Sequence, residues 1–282
     1  MCGTILVMKT VFFGSGEYTI PVVKMLQSHG LGLVITTETE GKFYNYLKDN
    51  SIPHLVTHLK DPNDIKKIQE IGAEIGVLGS YGAIVPNKVI HAFPHGIINI
   101  HPSLLPIYKG PSPVQYAIKN GDKVTGVTII SLDDQIDHGV ILSQKEYALH
   151  GTETLEELKK ELFKIGSEMI EELLQKPENG KKLEGAEQDH TKEIFTYKVT
   201  REDGKIDPQN PPHNLNNLIR AYYPWPGVWF ETIFAGKNRR FKLLPNGKIQ
   251  IEGKNIMTYK DFMNGYGEEG RGLVNKLELV SK

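Results

Sequence analysis

Val11-Phe12-Phe13-Gly14-Ser15-Gly16, continued by apolar residues at Ile20, Val23, Met25 and Leu26, is the stretch on which the fold class turns. Three apolar residues in a row suit a strand buried on both faces, the glycines allow a tight turn, and the spacing that follows is that of one helix face. Short apolar runs return at Leu33-Val34-Ile35, Ile75-Gly76-Val77-Leu78 and Ile97-Ile98-Asn99-Ile100, with helical patterns over 43–49, 63–71 and 112–119 between them. Strands alternating with helices predict an α/β domain with a mostly parallel, Rossmann-like sheet. Val124–Leu132 and Val140–Tyr147 then follow each other without a helix, so the sheet is expected to end in an antiparallel or crossover pair.

A helix is predicted over 153–175, with Leu155, Leu158, Leu162, Ile165, Met169 and Leu173 on one stripe and a Thr154…Glu157 capping box at its start. It closes an expected first domain over 1–176. Residues 177–212, rich in Lys, Pro, Asp and Gly, read as a linker, and 213–282 as a small β-rich domain with a helix near 213–221. Strands are expected there at Val228–Phe234, Phe241–Leu244 and Lys248–Glu252, with a turn at Pro245-Asn246-Gly247.

The 282 residues are 39% hydrophobic and 24% charged, which excludes a disordered chain, a collagen and a coiled-coil rod. The single cysteine, Cys2, excludes an internal disulfide framework and fits a reducing cytoplasm. The apolar opening Ile5-Leu6-Val7-Met8 is too short for a membrane span or a signal core, so a cytoplasmic protein without a membrane partner is expected. The net charge of −1 divides unevenly: residues 1–180 carry 16 Lys and Arg against 21 Asp and Glu, and residues 181–282 carry 17 against 13. The basic excess in the second part is compatible with a polyanionic partner and equally with scattered surface lysines.

Gly14-Ser15-Gly16 invites a dinucleotide reading, but the third glycine of that fingerprint would fall at Thr19. The glycines are therefore read first as a tight strand-to-helix turn. Asn99-Ile100-His101-Pro102 is more informative. Side chains at i and i+2 share a strand face, so Asn99 and His101 project together from the carboxyl end of a parallel strand, where open α/β sheets bind ligands. The loop Asp133-Asp134-Gln135-Ile136-Asp137-His138-Gly139 offers a carboxylate, Asp137, that could reach His101, raise its pKa and hold it protonated or oriented. Taken singly, Asp137 is a turn residue, with Gly139 expected to supply positive φ.

These elements resemble the folate-dependent formyltransferases, and along most of the chain the branch of that family that acts on methionyl-tRNA. The resemblance rests on Phe12-Phe13-Gly14, Tyr81-Gly82-Ala83-Ile84-Val85-Pro86, the run Asn99-Ile100-His101-Pro102-Ser103-Leu104-Leu105-Pro106 with Tyr108, Gly110 and Pro113, the strand entry Gly121…Thr125-Gly126-Val127-Thr128, and Asp137 with Gly139. Arg220-Ala221-Tyr222-Tyr223-Pro224-Trp225-Pro226-Gly227 is similar to an element of the methionyl-tRNA branch and of some sugar formyltransferases.

The resemblance implies a formyl-folate-binding first domain and an acceptor-binding second domain with a reduced OB-like sheet. It implies 10-formyltetrahydrofolate as co-substrate, initiator methionyl-tRNA as partner, no metal, and a monomer. Asn99, His101 and Asp137 would be catalytic, donating to a developing oxyanion and moving protons. Folate would be held by Tyr81, Gly82, Ser103, Leu104, Leu105, Pro106, Gly110, Asp133 and Asp134. The acceptor would meet Arg220, Arg239, Arg240 and Lys242. Two departures from the family pattern stand out. Thr36-Thr37-Glu38-Thr39-Glu40-Gly41-Lys42 is short and acidic where a basic loop is usual, and only 55 residues follow Gly227. A sugar-nucleotide N-formyltransferase is the alternative within the class, and a non-catalytic folate- or tRNA-binding protein the alternative outside it.

Overall fold

The computed structural model describes residues 8–175 and 184–279, and packing divides them into two units. The first comprises the chain up to Gly110, Thr125–Tyr147 and Lys159–Phe195. Its elements are β1 (Thr10–Gly14), α1 (Ile20–Gln27), β2 (Leu31–Thr36), α2 (Lys42–Asp49), β3 (His54–Val56), α3 (Pro62–Glu70), β4 (Ile75–Gly79), α4 (Asn87–Ile90) and β5 (Ile97–His101). After α5 (Pro113–Asn120), which packs with the second unit, come β6 (Val124–Ser131), β7 (Ile141–Ala148) and α6 (Leu155–Leu174). The sheet order is β3-β2-β1-β4-β5-β6-β7. β3, β2, β1, β4 and β5 run parallel, and β6 pairs antiparallel with β5. The mostly parallel, Rossmann-like layer with a reversed end is the expected one. β3 and α4 are additions, too short for a periodic pattern.

β1 is buried at all five positions, as a strand covered on both faces must be. Phe13 meets Tyr81 and Phe93 edge-on at 5.9 and 6.0 Å, within a core that includes Val11, Ile35, Ile65, Ile68 and Val89. Each such side chain contributes about 1.5–3 kcal/mol by leaving water. The start of α6 is held as the capping box requires on its acidic side: the Thr154 N–H and hydroxyl both donate to Glu157 Oε2, at 2.9 and 2.7 Å. Leu155, Leu158, Leu162, Ile165 and Met169 are buried along the expected stripe.

The second unit takes Pro111–Val124, Ala148–Leu158 and the chain from Thr196 onward. Its elements beyond α5 are α7 (Leu215–Ala221), β8 (Val228–Phe234), β9 (Lys237–Leu244), β10 (Lys248–Ile251), β11 (Met257–Thr258) and α8 (Tyr259–Lys276). The strands form one antiparallel sheet in the order β11-β10-β9-β8. Between β9 and β10, Asn246 and Gly247 both take positive φ, as a tight Asn-Gly turn demands. Phe230, Phe234, Phe241 and Phe262 build the core, with Phe230 stacked on Phe241 at 5.1 Å and Phe234 on Phe262 at 5.5 Å.

Three sequence expectations change here. The packing boundaries do not fall at 176 and 212: α5 joins the second unit, where Asn214 Nδ2 donates to the Lys119 carbonyl at 2.9 Å, and 184–195 joins the first. Residues 177–183 of the expected linker lie outside the described residues. The tail also holds the helix α8, hidden in the sequence by Gly265, Gly267, Gly270 and Gly272, and kinked at Gly267 (φ 58, ψ −133). Finally, Gly139 is not a positive-φ position; Asp137 itself is, at φ 48. Gly139 is required for another reason, since a Cβ there would overlap the Ser131 carbonyl. Among the described residues, no helix is long and apolar enough to cross a membrane.

Candidate active site

β5 is hydrogen-bonded to β4 on one side and β6 on the other, so its pleat is fixed. Ile98 and Ile100 are buried in the core, while Asn99 and His101 reach one common partner, the Asp137 carboxylate. Asp137 Oδ1 lies 3.3 Å from Asn99 Nδ2 and 3.4 Å from His101 Nδ1. Its Oδ2 accepts the Gly110 N–H at 2.8 Å. On the far side of the imidazole, Nε2 is 2.9 Å from the Tyr108 carbonyl. Both ring nitrogens therefore face acceptors that have no proton to give, an arrangement satisfied fully only by the imidazolium.

The electrostatics agree with the geometry. Burial opposes a charged His101, but the Asp137 charge and hydrogen bond, with the Tyr108 carbonyl, outweigh it and hold the imidazole above its ordinary pKa; Lys109 works in the other direction. Burial likewise opposes the Asp137 carboxylate, yet His101, the Gly110 N–H and Lys109 hold it below the ordinary aspartate range. Two charges stay buried because each stabilises the other.

The loop after β5 is a closed hydrogen-bond network. Thr128 Oγ1 donates to the Ser103 carbonyl at 2.6 Å and accepts the Leu105 N–H at 3.0 Å and Gln144 Nε2 at 2.8 Å, which uses its donor and both lone pairs. Gln144 also donates to the Leu105 carbonyl at 3.0 Å. The Ser103 hydroxyl donates to the Ile107 carbonyl at 2.6 Å. Of the expected folate residues, Ser103, Leu105 and Tyr81 are thus interior. The Tyr81 hydroxyl donates to the Thr57 carbonyl at 2.7 Å and its ring packs on Phe13. Gly82, Leu104, Pro106, Gly110, Asp133 and Asp134 keep exposed surface. Asp133 is engaged by His138 Nδ1 at 2.8 Å. The most exposed large apolar side chains of this unit, Ile84 and Ile136, stand on the loops that also carry Gly82 and Asp137.

Gly14-Ser15-Gly16 is a tight turn whose amide is already occupied: the Gly16 N–H donates to Glu38 Oε1 at 2.7 Å. The acidic loop after β2 thus fills the place a dinucleotide phosphate would need.

The expected acceptor residues are all in the second unit. Arg240 is ion-paired with Glu231 at 2.7 Å and Glu252 at 3.6 Å and lies 5.0 Å over the Trp229 ring. Arg239 Nε donates to the Phe234 carbonyl at 3.3 Å, and Lys242 Nζ reaches the Pro224 carbonyl at 3.5 Å. The alternation is as expected, with Phe241 buried between Arg240 and Lys242. Arg220 is on α7, away from β9 in sequence, and ties the Glu153 carbonyl (2.9 Å) to Asn217 Oδ1 (2.7 Å).

Two residues escape the sequence reading. Lys109 is buried at 1% exposure, with its ammonium 2.8 Å from Glu193 Oε2; only its place between Tyr108 and Gly110 marks it. Gln188 is 5% exposed and donates to the carbonyls of Asp137 and Gly139; it sits in a stretch whose composition reads as linker.

A carboxylate, an imidazole and an amide thus converge at one end of an open α/β sheet, the place where such sheets bind ligands. The chain belongs to the formyl transferase family: residues 8–174 match the formyl transferase model and 198–246 the formyl transferase C-terminal domain. It is 31% identical over 295 aligned residues to a methionyl-tRNA formyltransferase of Thermodesulfovibrio yellowstonii, an alignment covering 90% of this chain and 95% of that one. Among solved structures it is similar to phosphoribosylglycinamide formyltransferase from Bacillus halodurans, with a TM-score of 0.51 and 26% identity over 59% of this chain and 92% of that one. HypX from Aquifex aeolicus, solved in complex with tetrahydrofolic acid, shares the fold at a TM-score of 0.57 and 14% identity, over 84% of this chain and 37% of that one.

Proposed function

We propose that this protein transfers the formyl group of 10-formyltetrahydrofolate to the amino group of methionyl-tRNA. The observation that carries the reading is the Asn99–His101–Asp137 constellation, buried, interlocked and charged in the sense the chemistry needs. The relatives named methionyl-tRNA formyltransferase support the acceptor. Folate is supported by the exposed Ile84 and Ile136, which give a flat heteroaromatic ligand apolar surface on loops beside the constellation.

The folate supplies a formyl carbon bound to nitrogen, open to attack by an amine. Asn99 spends one amide hydrogen on Asp137 and keeps the second for the charge that grows on the formyl oxygen. The His101 imidazolium stabilises the same charge and holds the proton that the departing nitrogen needs. Asp137 keeps that imidazole charged and, through water, provides the base to which the amine's proton passes. The single cysteine and a tRNA acceptor fit a cytoplasmic setting.

A second reading, transfer to an amino sugar nucleotide, is favoured by the acidic loop after β2 and by the carboxylates that neutralise Arg240. One substrate panel decides between them: purified protein with 10-formyltetrahydrofolate and, in separate reactions, charged initiator tRNA and amino sugar nucleotides. Formylation of the methionyl-tRNA at a rate far above that of the sugars is the expected result. Transfer to a sugar alone would move the assignment, and transfer to neither would remove it.

A further inference from the structure

Residues 186–195, which read from sequence as linker, are pinned at both ends to the first unit. Ala186 exchanges two backbone hydrogen bonds with Ile141, at 2.8 and 2.9 Å. At the other end the Ile194 N–H donates to the Pro106 carbonyl at 3.2 Å, and the Lys109 N–H donates to the Ile194 carbonyl at 2.8 Å. The segment is a strap that ties the loop after β5 to the start of β7. Gln188 lies inside it. Its Nε2 donates to the Asp137 carbonyl at 2.9 Å and to the Gly139 carbonyl at 2.8 Å. Since both partners can only accept, the amide has one possible orientation, and Oε1 is left buried with no hydrogen-bond partner among the described residues.

The two clamped carbonyls bracket His138 and include that of Asp137, whose backbone is left-handed at φ 48. A non-glycine residue is held there only when its surroundings impose it, at a cost of about 1–2 kcal/mol. The Asp137 carboxylate has ties of its own to Gly110, Asn99 and His101, but these begin at the side chain and do not fix the backbone from which it projects. We propose that Gln188 is the positioning residue that holds the Asp137 backbone, and through it the orientation of the carboxylate toward His101 and Asn99. The proposal rests on the formyl-transfer reading for its kinetic consequence, though not for its structural one.

Two variants test it, in two measurements. Gln188→Leu removes both donors. Gln188→Glu keeps the shape and, when protonated, can return one donor, whereas its carboxylate is repelled by the two carbonyls. The first measurement needs no substrate: NMR titration of the His101 ring in the folded, folate-free protein. The midpoint is expected to fall in Gln188→Leu, because a carboxylate displaced from Nδ1 stabilises the imidazolium less; in Gln188→Glu the new carboxylate opposes that fall, so the midpoint is read from Gln188→Leu and the rate from both. The second is kcat against pH. A drop of about 10- to 100-fold near neutrality is expected, the size of effect that a misplaced group produces, with KM for folate changed far less. The ratio of Gln188→Leu to wild type should rise as pH falls from 8 to 6, because its lowered His101 regains its charge, and that of Gln188→Glu should rise because protonation of the new carboxyl returns a donor. Lys109, Glu193, His190, His138 and Asp133 are common to all three proteins, so their charges cancel in those ratios. If Gln188→Leu does not fold, Gln188→Glu and its pH-dependent rescue carry the test. An unmoved His101 midpoint in Gln188→Leu, or a kcat in Gln188→Glu within twofold of wild type at every pH, overturns the proposal. A wild type that transfers no formyl group would instead overturn the formyl-transfer reading and leave the titration experiment intact.

Discussion

The loops around His101 and the strand that carries Arg239, Arg240 and Lys242 handle charge in opposite ways. At the first site a cation and an anion are buried together, each holding the other ionised, and the neighbouring amides and carbonyls are committed to them. On β9 the cations sit at the surface, and the most engaged of them, Arg240, is answered by carboxylates from β8 and from just beyond β10. A buried charge pair is vulnerable to the loss of one member, because the other is then left without compensation. A surface pair is screened and readily replaced by water and salt. The proposed catalytic site is therefore expected to be brittle and the proposed acceptor surface on β9 tolerant.

The sharpest break in that contrast comes from Asn99→Ala and His101→Ala. Each is expected to lose about 100- to 1000-fold in kcat, the usual effect of removing an oxyanion donor, with folate binding and the folded spectrum retained. Rates near wild type would take the residue out of the chemistry. Asp137→Asn follows. The amide tolerates the left-handed backbone but cannot favour a charged His101, so a loss of about 100-fold near neutrality is expected, with the surviving activity displaced to lower pH. A pH–rate profile identical to wild type would reduce Asp137 to a turn residue.

Stability should carry a weaker trace of the same pair. His101 is raised from an ordinary 6.5, so its contribution is full below that value and is lost as pH rises through the raised pKa. Asp137 is lowered from an ordinary 3.8, so its contribution is full above that value and is lost as pH falls through the lowered one. The difference in denaturation midpoint between wild type and His101→Gln should thus be greatest between roughly pH 4 and 6.5 and shrink on either side. A difference that does not vary with pH would mean that the two groups are not ionised together. The smallest effect is expected on β9. Arg239→Ala with Arg240→Ala should weaken tRNA binding by less than about tenfold and change the slope of log affinity against log salt by about 2 at most, roughly one unit for each phosphate no longer neutralised. A larger loss would show that a nucleic acid displaces Glu231 and Glu252 from Arg240.

Much of this is legible in consecutive residues. Val11-Phe12-Phe13 announces a strand covered on both faces, and the i, i+2 spacing of Asn99 and His101 puts two polar groups on one side of β5, where the structure finds them. Asp137 is legible as a candidate partner because it is a carboxylate in the loop that follows the neighbouring strand, two residues before a glycine. What escapes the sequence is what depends on the chain returning from a distance. Gln188 lies 51 residues beyond Asp137, and no local pattern distinguishes a buried clamp from a solvated linker residue. Tyr81, Ser103 and Leu105 read as ligand-binding because they stand in the matching runs, but a motif does not say which of its side chains turn inward. α8 is hidden by its glycines, whose low helix propensity is offset by the burial of Phe262 and Val274.

The strap at 186–195 also bears on how the two halves of such a chain can be exchanged. A chimera that joins this first domain to a foreign acceptor domain at residue 176, where the helical stripe ends, would discard Gln188 and the Ala186 and Ile194 backbone pairings along with the intended partner. A crossover placed just after Phe195 retains them. The recombination point that respects the chemistry thus lies some twenty residues beyond the one that hydrophobic periodicity suggests.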